Sequence, residues 1–300
     1  MTFFPRCLQY EGMGIITGFD PWRSKYCSCA EKLSLSAYTG CAHACLYCYA
    51  TSYIRNFNAP REKTDYLKRL RSQAKRLRPG STITIANSSD PYQPLEKKLR
   101  LTRTTLEILS HEPVNILVVT KSALIARDMP LLKELKRLVV AISVTCLDEK
   151  LAKTLEPGAS APRARIKALE KLAGHGIPIV ARIDPLVYPL NTENLKQLIT
   201  QLRLCGAKQI ITSTYKAKPD SLKRMCAHFP EYKKIWDDLY LAKGERIAGY
   251  RYLPGALRKR LIEEVRDIAR EQGLKFSCCR EGFSKYNTAA CDGADYLHAR

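Results

Sequence analysis

LSLSAYTGCAHACLYCYA, residues 33–50, runs from an alternating segment (Leu33–Tyr38) into three cysteines, Cys41, Cys45 and Cys48, spaced C-x3-C-x2-C. Leu33, Leu35 and Ala37 occupy alternate positions, which predicts a half-buried strand. Gly40 lets the chain turn sharply just before the first thiol. Thiolates are the soft ligands of a cubane iron–sulfur cluster, and three from one loop leave the fourth iron open to a chelating ligand. A zinc loop completed by His43 or by a distant cysteine is the other reading of the same residues.

The rest of the chain sets the kind of sheet this strand enters. Further β-rich runs follow at Thr82–Asn87, Asn115–Thr120, Val139–Thr145, Ile177–Asp184 and Gln209–Thr214. Segments with apolar residues at helical spacing lie between them at 61–78, 102–110, 124–138, 161–175 and 192–205, as with Leu67, Leu70, Ala74 and Leu77 in the first. Six strand–helix alternations predict parallel strands joined by right-handed crossovers. No G-x-G-x-x-G follows the first strand, which argues against a dinucleotide-binding fold. The expected architecture is α/β: a partial (β/α)6 TIM-type barrel with its site at the C-terminal strand ends. Residues 1–32 read as an N-terminal extension, 33–215 as the barrel core, and 216–300 as an α-rich C-terminal extension with a cysteine-containing tail.

Composition narrows the function. The 300 residues carry a formal charge of +21 and twelve cysteines. Apolar stretches such as 138–144 fall far short of the roughly 18 residues of a membrane span. No secretory pattern opens the sequence, so a cytoplasmic location without a membrane partner is expected. Cysteines in a reducing compartment more often ligate metal or react than form disulfides. Cys146, Cys205 and Cys226 are isolated, whereas the others are grouped. Cys278, Cys279 and Cys291, with Cys27 or Cys29 as a fourth ligand, form a candidate second iron–sulfur site; zinc or uncoordinated thiols are the alternatives. Basic groups recur at Lys68, Arg71, Lys75 and Arg78, at Lys97, Lys98, Arg100 and Arg103, at Lys216 and Lys218, and at Arg258, Lys259 and Arg260. Such groups are the footprint of a polyanion binder, and sixteen tyrosines offer stacking surfaces for DNA or RNA bases.

The cysteine motif, with Tyr47 before its last cysteine and placed after the first strand, resembles the radical S-adenosylmethionine (radical SAM) superfamily. SAYTGCAHACLYCYA (36–50), NSSDPYQPLE (87–96) and LEPGASAPR (155–163) resemble its spore photoproduct lyase-like branch, also called DNA repair photolyase-like. The resemblance implies that Cys41, Cys45 and Cys48 hold a [4Fe-4S] cluster whose open iron binds S-adenosylmethionine. One electron from a ferredoxin- or flavodoxin-type donor would then give a 5′-deoxyadenosyl radical that abstracts hydrogen from substrate. Tyr47 is expected near the adenine, and Asn87, Ser88, Ser89 and Asp90 near the amino end of the cofactor. Ser143 and Thr145 are candidate ribose or carboxylate partners, and Arg163 a carboxylate partner through its forked donors. Arg182 and Asp184 share one face of their strand and are expected in the barrel mouth.

Spore photoproduct lyase proper uses a cysteine shortly after the cluster to return hydrogen, and this chain has none between Cys48 and Cys146. Cys146 is the candidate hydrogen donor in its place, with Tyr92 and Tyr215 as alternative radical relays. The expected substrate is a nucleic-acid base, in lyase-like repair or RNA modification. A radical enzyme acting on a peptide or small metabolite, or a non-catalytic iron–sulfur protein that binds nucleic acid, are the alternatives.

Overall fold

The computed structural model describes residues 14–19, 24–85 and 88–297. Eight strands form one sheet in chain order: Ile16–Gly18, Leu33–Leu35, Thr82–Ile85, Asn115–Thr120, Leu138–Ser143, Ile179–Leu186, Gln209–Thr214 and Lys275–Cys278. The first pairs antiparallel with the second, Ile16 opposite Leu35. The remaining pairs are all parallel. Among the described residues the two edge strands do not pair with each other, so the barrel is partial.

Parallel strands with both faces covered need near-continuous apolar runs, and Leu138–Ser143 is buried throughout. Helices Tyr66–Ala74, Leu101–Leu109, Pro162–Gly174, Leu195–Leu204 and Gly255–Glu271 bring apolar stripes to the outer face, where most of the core lies. Helix expected across 124–138 is instead a 3-10 turn, Ala123–Asp128, followed by the short helix Met129–Glu134. Pro130 at the start of that helix has no N–H to continue the preceding turn.

The 216–300 segment contributes more than a packed extension. Helix Gly255–Glu271 buries Leu261, Ile262, Val265 and Ala269, and Lys275–Cys278 then adds a seventh parallel strand beside Gln209–Thr214. The tail beyond it enters the barrel. Leu297 packs on Leu117, Val139, Ala141, Val180 and Ile211, which are inward-facing positions of four strands. A Cβ on Gly293 would lie 3.1 Å from both Val180 methyl carbons, so the tail sits tight against the inner wall.

Alternation along the strands then positions the site. Successive side chains point to opposite faces, so Val139, Ala141 and Ser143 share the inner face, as do Val180, Arg182 and Asp184. The inner residues are apolar at the bottom and polar at the C-terminal strand ends.

Candidate functional site

At those ends lies a cavity of about 520 Å³. Ser34, Thr84, Ser143, Arg182, Asp184 and Ser213 line it, each on an inward position of its strand. Cys41, Cys45 and Cys48 also border it.

Four separate segments fix the cysteine loop. Gly40 turns it with φ +83°, and a Cβ there would come within 2.4 Å of the Phe57 carbonyl oxygen. That carbonyl accepts the Cys41 N–H at 2.7 Å. Gln93, fully buried, accepts from the Ala42 N–H at 2.9 Å and donates to the Gly40 carbonyl at 3.1 Å. The Leu46 N–H donates to the Leu155 carbonyl and the Gly158 N–H to the His43 carbonyl, both at 2.9 Å. Helix Pro219–His228 supplies Arg224, which donates to the carbonyls of Leu46 (3.2 Å) and Cys48 (2.9 Å) and pairs with Asp220 at 2.8 Å. Asp220 in turn accepts from Thr51 at 2.6 Å and from Ser52.

Beneath the loop is a buried charge pair. Glu156 accepts from the Tyr47 hydroxyl and from Thr145 Oγ1 (3.2 Å), and pairs with Arg165. Arg165 also donates to the carbonyls of Ser160 (2.6 Å) and Ser143 (3.1 Å). Burial alone would raise the Glu156 pKa, but the Arg165 guanidinium and the Lys121 ammonium outweigh it and hold the carboxyl below its usual value. Burial pushes the Tyr47 phenol well up, and Glu156 adds to that shift.

The donor set fits an iron–sulfur cluster. Burial raises all three thiols, Cys41 to about 12, so their thiolates call for a cationic partner such as a cluster of irons. Among the described residues no three His, Cys, Asp or Glu side chains are arranged to hold a single metal ion. His43 Nδ1 faces Asp90 at 3.5 Å, and burial lowers its pKa.

Of the proposed cofactor residues, Tyr47, Ser88, Ser89, Asp90, Ser143, Arg182 and Asp184 line the cavity. Asp90 is also a structural node, accepting from Thr120 Oγ1 and the Lys121 N–H at 2.7 Å each and from the Tyr92 N–H at 2.9 Å. Arg182 donates to Asp184 at 2.5 Å, and Ser213 does so from the next strand at 2.5 Å. Thr145 is buried and turned toward Glu156. Arg163 is exposed on its helix, and the inward arginine is Arg165, two residues on. Asn87 lies outside the described residues.

Tyr215 lines the cavity, with its hydroxyl 2.7 Å from Ser221 Oγ. Tyr92 and Cys146 are buried and absent from the described lining, and the Cys146 thiol faces the Asp148 carbonyl at 3.5 Å. Sequence reasoning missed Glu156, Arg165 and Arg224; Glu156 meets Tyr47 109 residues away and Arg224 meets Cys48 176 residues away, while Arg165 serves Glu156. It also missed Lys121, which the strand-end rule reaches, since it directly follows Asn115–Thr120.

Four further cysteines border the same cavity. Cys27, Cys29, Cys279 and Cys291 line the cavity, and Cys29 Sγ lies 3.3 Å from Cys291 Sγ. Cys278, expected with them, points the other way. Neighbouring strand residues face opposite sides, and its thiol turns to the Phe283 carbonyl and Asn287 Oδ1 at 3.4 Å each. Two cations expected on the polyanion surface are also internal. Arg258 donates to the Glu281 carbonyl at 2.6 Å and Lys216 to Glu281 Oε1 at 2.6 Å, both nearly enclosed. Buried Glu281 carries charge that these cations must match. The groups on Tyr66–Ala74 and its flank, Lys68, Arg71, Lys75 and Arg78, remain exposed, as do Lys97, Lys98 and Arg100.

Residues 35–202 match the family model described as the Radical SAM superfamily. An uncharacterised protein of Mycobacterium tuberculosis is 26% identical over 260 residues, 78% of this chain and 72% of its own. One from Methanocaldococcus jannaschii is 30% identical over 165 residues, 52% of this chain and 61% of its own. Among solved structures, spore photoproduct lyase complexed with dinucleoside spore photoproduct superposes with a TM-score of 0.64 at 16% identity. The match covers 81% of this chain and 74% of that one, a likeness of fold. No helix among the described residues is long and apolar enough to cross a membrane.

Proposed function

This chain belongs to the radical SAM superfamily and is an enzyme; from that premise we propose that it acts on a base of a nucleic acid. Cys41, Cys45 and Cys48 would hold a [4Fe-4S] cluster, with S-adenosylmethionine in the cavity beside it. Those groups, when bound, would supply one-electron reductive cleavage of the sulfonium, given an electron from a ferredoxin- or flavodoxin-type donor. The chain's own residues orient and enclose: Arg224, Gln93 and Gly158 fix the thiol loop, and Ser89, Asp90, Ser143, Arg182 and Asp184 offer polar contacts at the strand ends.

The observation that carries the reading is the make-up of this one cavity. Three thiols border it, and Lys32, Lys121, Arg182 and Arg280 line it against the carboxylates of Asp90, Asp184 and Asp292, with Lys216 already paired to Glu281; once Lys32 is paired with Asp292 and Arg182 with Asp184, Lys121 and Arg280 face Asp90 alone. That excess of cations suits a polyanion. Tyrosines in its lining suit an unstacked base: Tyr49 and Tyr53 stack with centroids 6.2 Å apart, and the buried Tyr250 backs Tyr49 edge-on at 5.9 Å. The similar fold that holds a dinucleoside spore photoproduct supports the same substrate class. Tyr215, which lines the cavity, is the proposed hydrogen donor or relay.

The test is anaerobic reconstitution, dithionite reduction and turnover with total cellular RNA and DNA, followed by nucleoside mass spectrometry. A changed nucleoside that depends on S-adenosylmethionine supports the proposal. Formation of 5′-deoxyadenosine without any nucleic-acid product turns the reading toward a peptide or metabolite. An intact cluster that forms no 5′-deoxyadenosine refutes radical catalysis.

A further inference from the structure

Cys27, Cys29, Cys291 and Cys279, from distant parts of the chain, line the same cavity as the thiol loop. Cys29 Sγ lies 3.3 Å from Cys291 Sγ, and the neighbouring thiols shift each other's pKa, Cys29 acting on Cys27 and Cys291 on Cys279. Ser28 Oγ adds a contact to Cys291 Sγ at 3.8 Å. From this convergence we propose that these four cysteines form a second, all-thiolate site for a thiophilic metal, distinct from Cys41, Cys45 and Cys48.

Three features separate such a site from ordinary packing. A cysteine that fills a core acts as a small apolar group, whereas these four sit among cations. Lys32 acts on Cys29 and Cys291, Arg182 on Cys279 and Cys291, and Arg280 on Cys279. Four thiolates bring four negative charges, more than an iron–sulfur core or a zinc ion neutralises; Lys32 is shared with Asp292 and Arg182 with Asp184, and Arg280 sets a further positive charge against the excess. The ligand number is also complete. Four protein thiolates saturate a cluster, so this centre has no open iron for S-adenosylmethionine, unlike the three-cysteine loop. Finally, Cys27 and Cys29 are half-buried on a stretch without regular structure, while Cys279 directly follows the strand Lys275–Cys278. Cys29 and Cys291 are in contact, and among the described residues no three of the four thiols yet surround one point. The site therefore requires rotation of Cys27 and Cys29 to close around a metal.

Disulfide pairing is the competing reading. The 3.3 Å separation of Cys29 and Cys291 is well beyond the bonded length of about 2.05 Å. One such bond would also leave Cys27 and Cys279 without a role.

The test starts from the chain carrying Cys41→Ala, Cys45→Ala and Cys48→Ala, which removes the first site. Protein purified without oxygen is assayed for iron, acid-labile sulfide and zinc. Retention of about four irons and four sulfides per chain identifies the second centre as an iron–sulfur cluster, and about one zinc identifies it as a zinc site; either supports the proposal. In the otherwise intact chain, Cys27→Ser and Cys279→Ser, separately, should lose that metal and keep the first cluster. Circular dichroism melting confirms that each variant is folded. A folded triple variant without metal overturns the proposal, as does a Cys29–Cys291 disulfide found by mass spectrometry of the anaerobic protein.

Discussion

Gly158→Ala should cripple the thiol loop from outside it. A Cβ at this position would lie 2.0 Å from the Ala42 carbonyl oxygen and 2.9 Å from His43 Cα, both backbone atoms that no rotamer change can move. Ordinary contact begins near 3.4 Å, so the loop has to retreat by about 1.4 Å, an overpacking that costs about 1–3 kcal/mol. The retreat also stretches the 2.9 Å hydrogen bond from Gly158 N–H to the His43 carbonyl, worth about 1 kcal/mol. Ala42 and His43 lie between Cys41 and Cys45, so the displacement moves the thiols, and a misplacement of about 1 Å at a reacting centre costs about 100-fold in rate. The assay is iron content after anaerobic reconstitution, together with the rate of 5′-deoxyadenosine formation under dithionite. Gly174→Ala is the matched control: it ends helix Pro162–Gly174 with open space around the new methyl group, and alanine there should stabilise by about 0.5–1 kcal/mol. If Gly158→Ala bound iron and cleaved S-adenosylmethionine as Gly174→Ala does, the packing argument would be wrong.

Other outcomes follow from the same contacts. Arg224→Gln should weaken cluster retention without abolishing folding, because it removes the forked donors on the Leu46 and Cys48 carbonyls; iron loss to a chelator over time measures it. Glu156→Gln leaves the Arg165 guanidinium buried and unpaired, and should cost about 3–5 kcal/mol in chemical denaturation. The Glu156 carboxyl lies below its usual pKa in the folded chain, so its stabilisation is full above the ordinary carboxylate range and fades as pH falls through the depressed value. Denaturation midpoints of the parent should therefore drop in acid more than those of Glu156→Gln; parallel pH profiles would contradict this. With a nucleic-acid substrate, Tyr215→Phe should lower product formed per 5′-deoxyadenosine, whereas Cys146→Ala should leave that ratio unchanged, and the reverse result would return the donor role to Cys146.

Much of the frame was legible because its signals are local. Alternation and helical spacing placed the strands 115–120 and 209–214 at their observed bounds and the helix 162–174 within one residue at each end. The same alternation put Arg182 and Asp184 on the inner face before any fold was known, and the C-x3-C-x2-C spacing assigned the thiol loop. The words at 87–96 and 155–163 were legible as markers but not as parts. Gln93 and Gly158 turn out to clamp the loop, and Glu156 to anchor Tyr47. Those are contacts across 51 to 115 residues that no local period encodes.

The sequence by itself determined the class of fold, the place of the three-thiol loop and the family. Only the tertiary structure decided which charges are spent inside, such as Lys216 and Arg258 on Glu281, and which remain at the surface for a polyanion. It also decided that Cys278 faces away while Cys27 and Cys29 both join Cys279 and Cys291. The physical reason is separation: periodicity fixes which side of its own strand a residue takes, but residues 262 positions apart meet only where the two ends of the chain return to the same wall of the barrel.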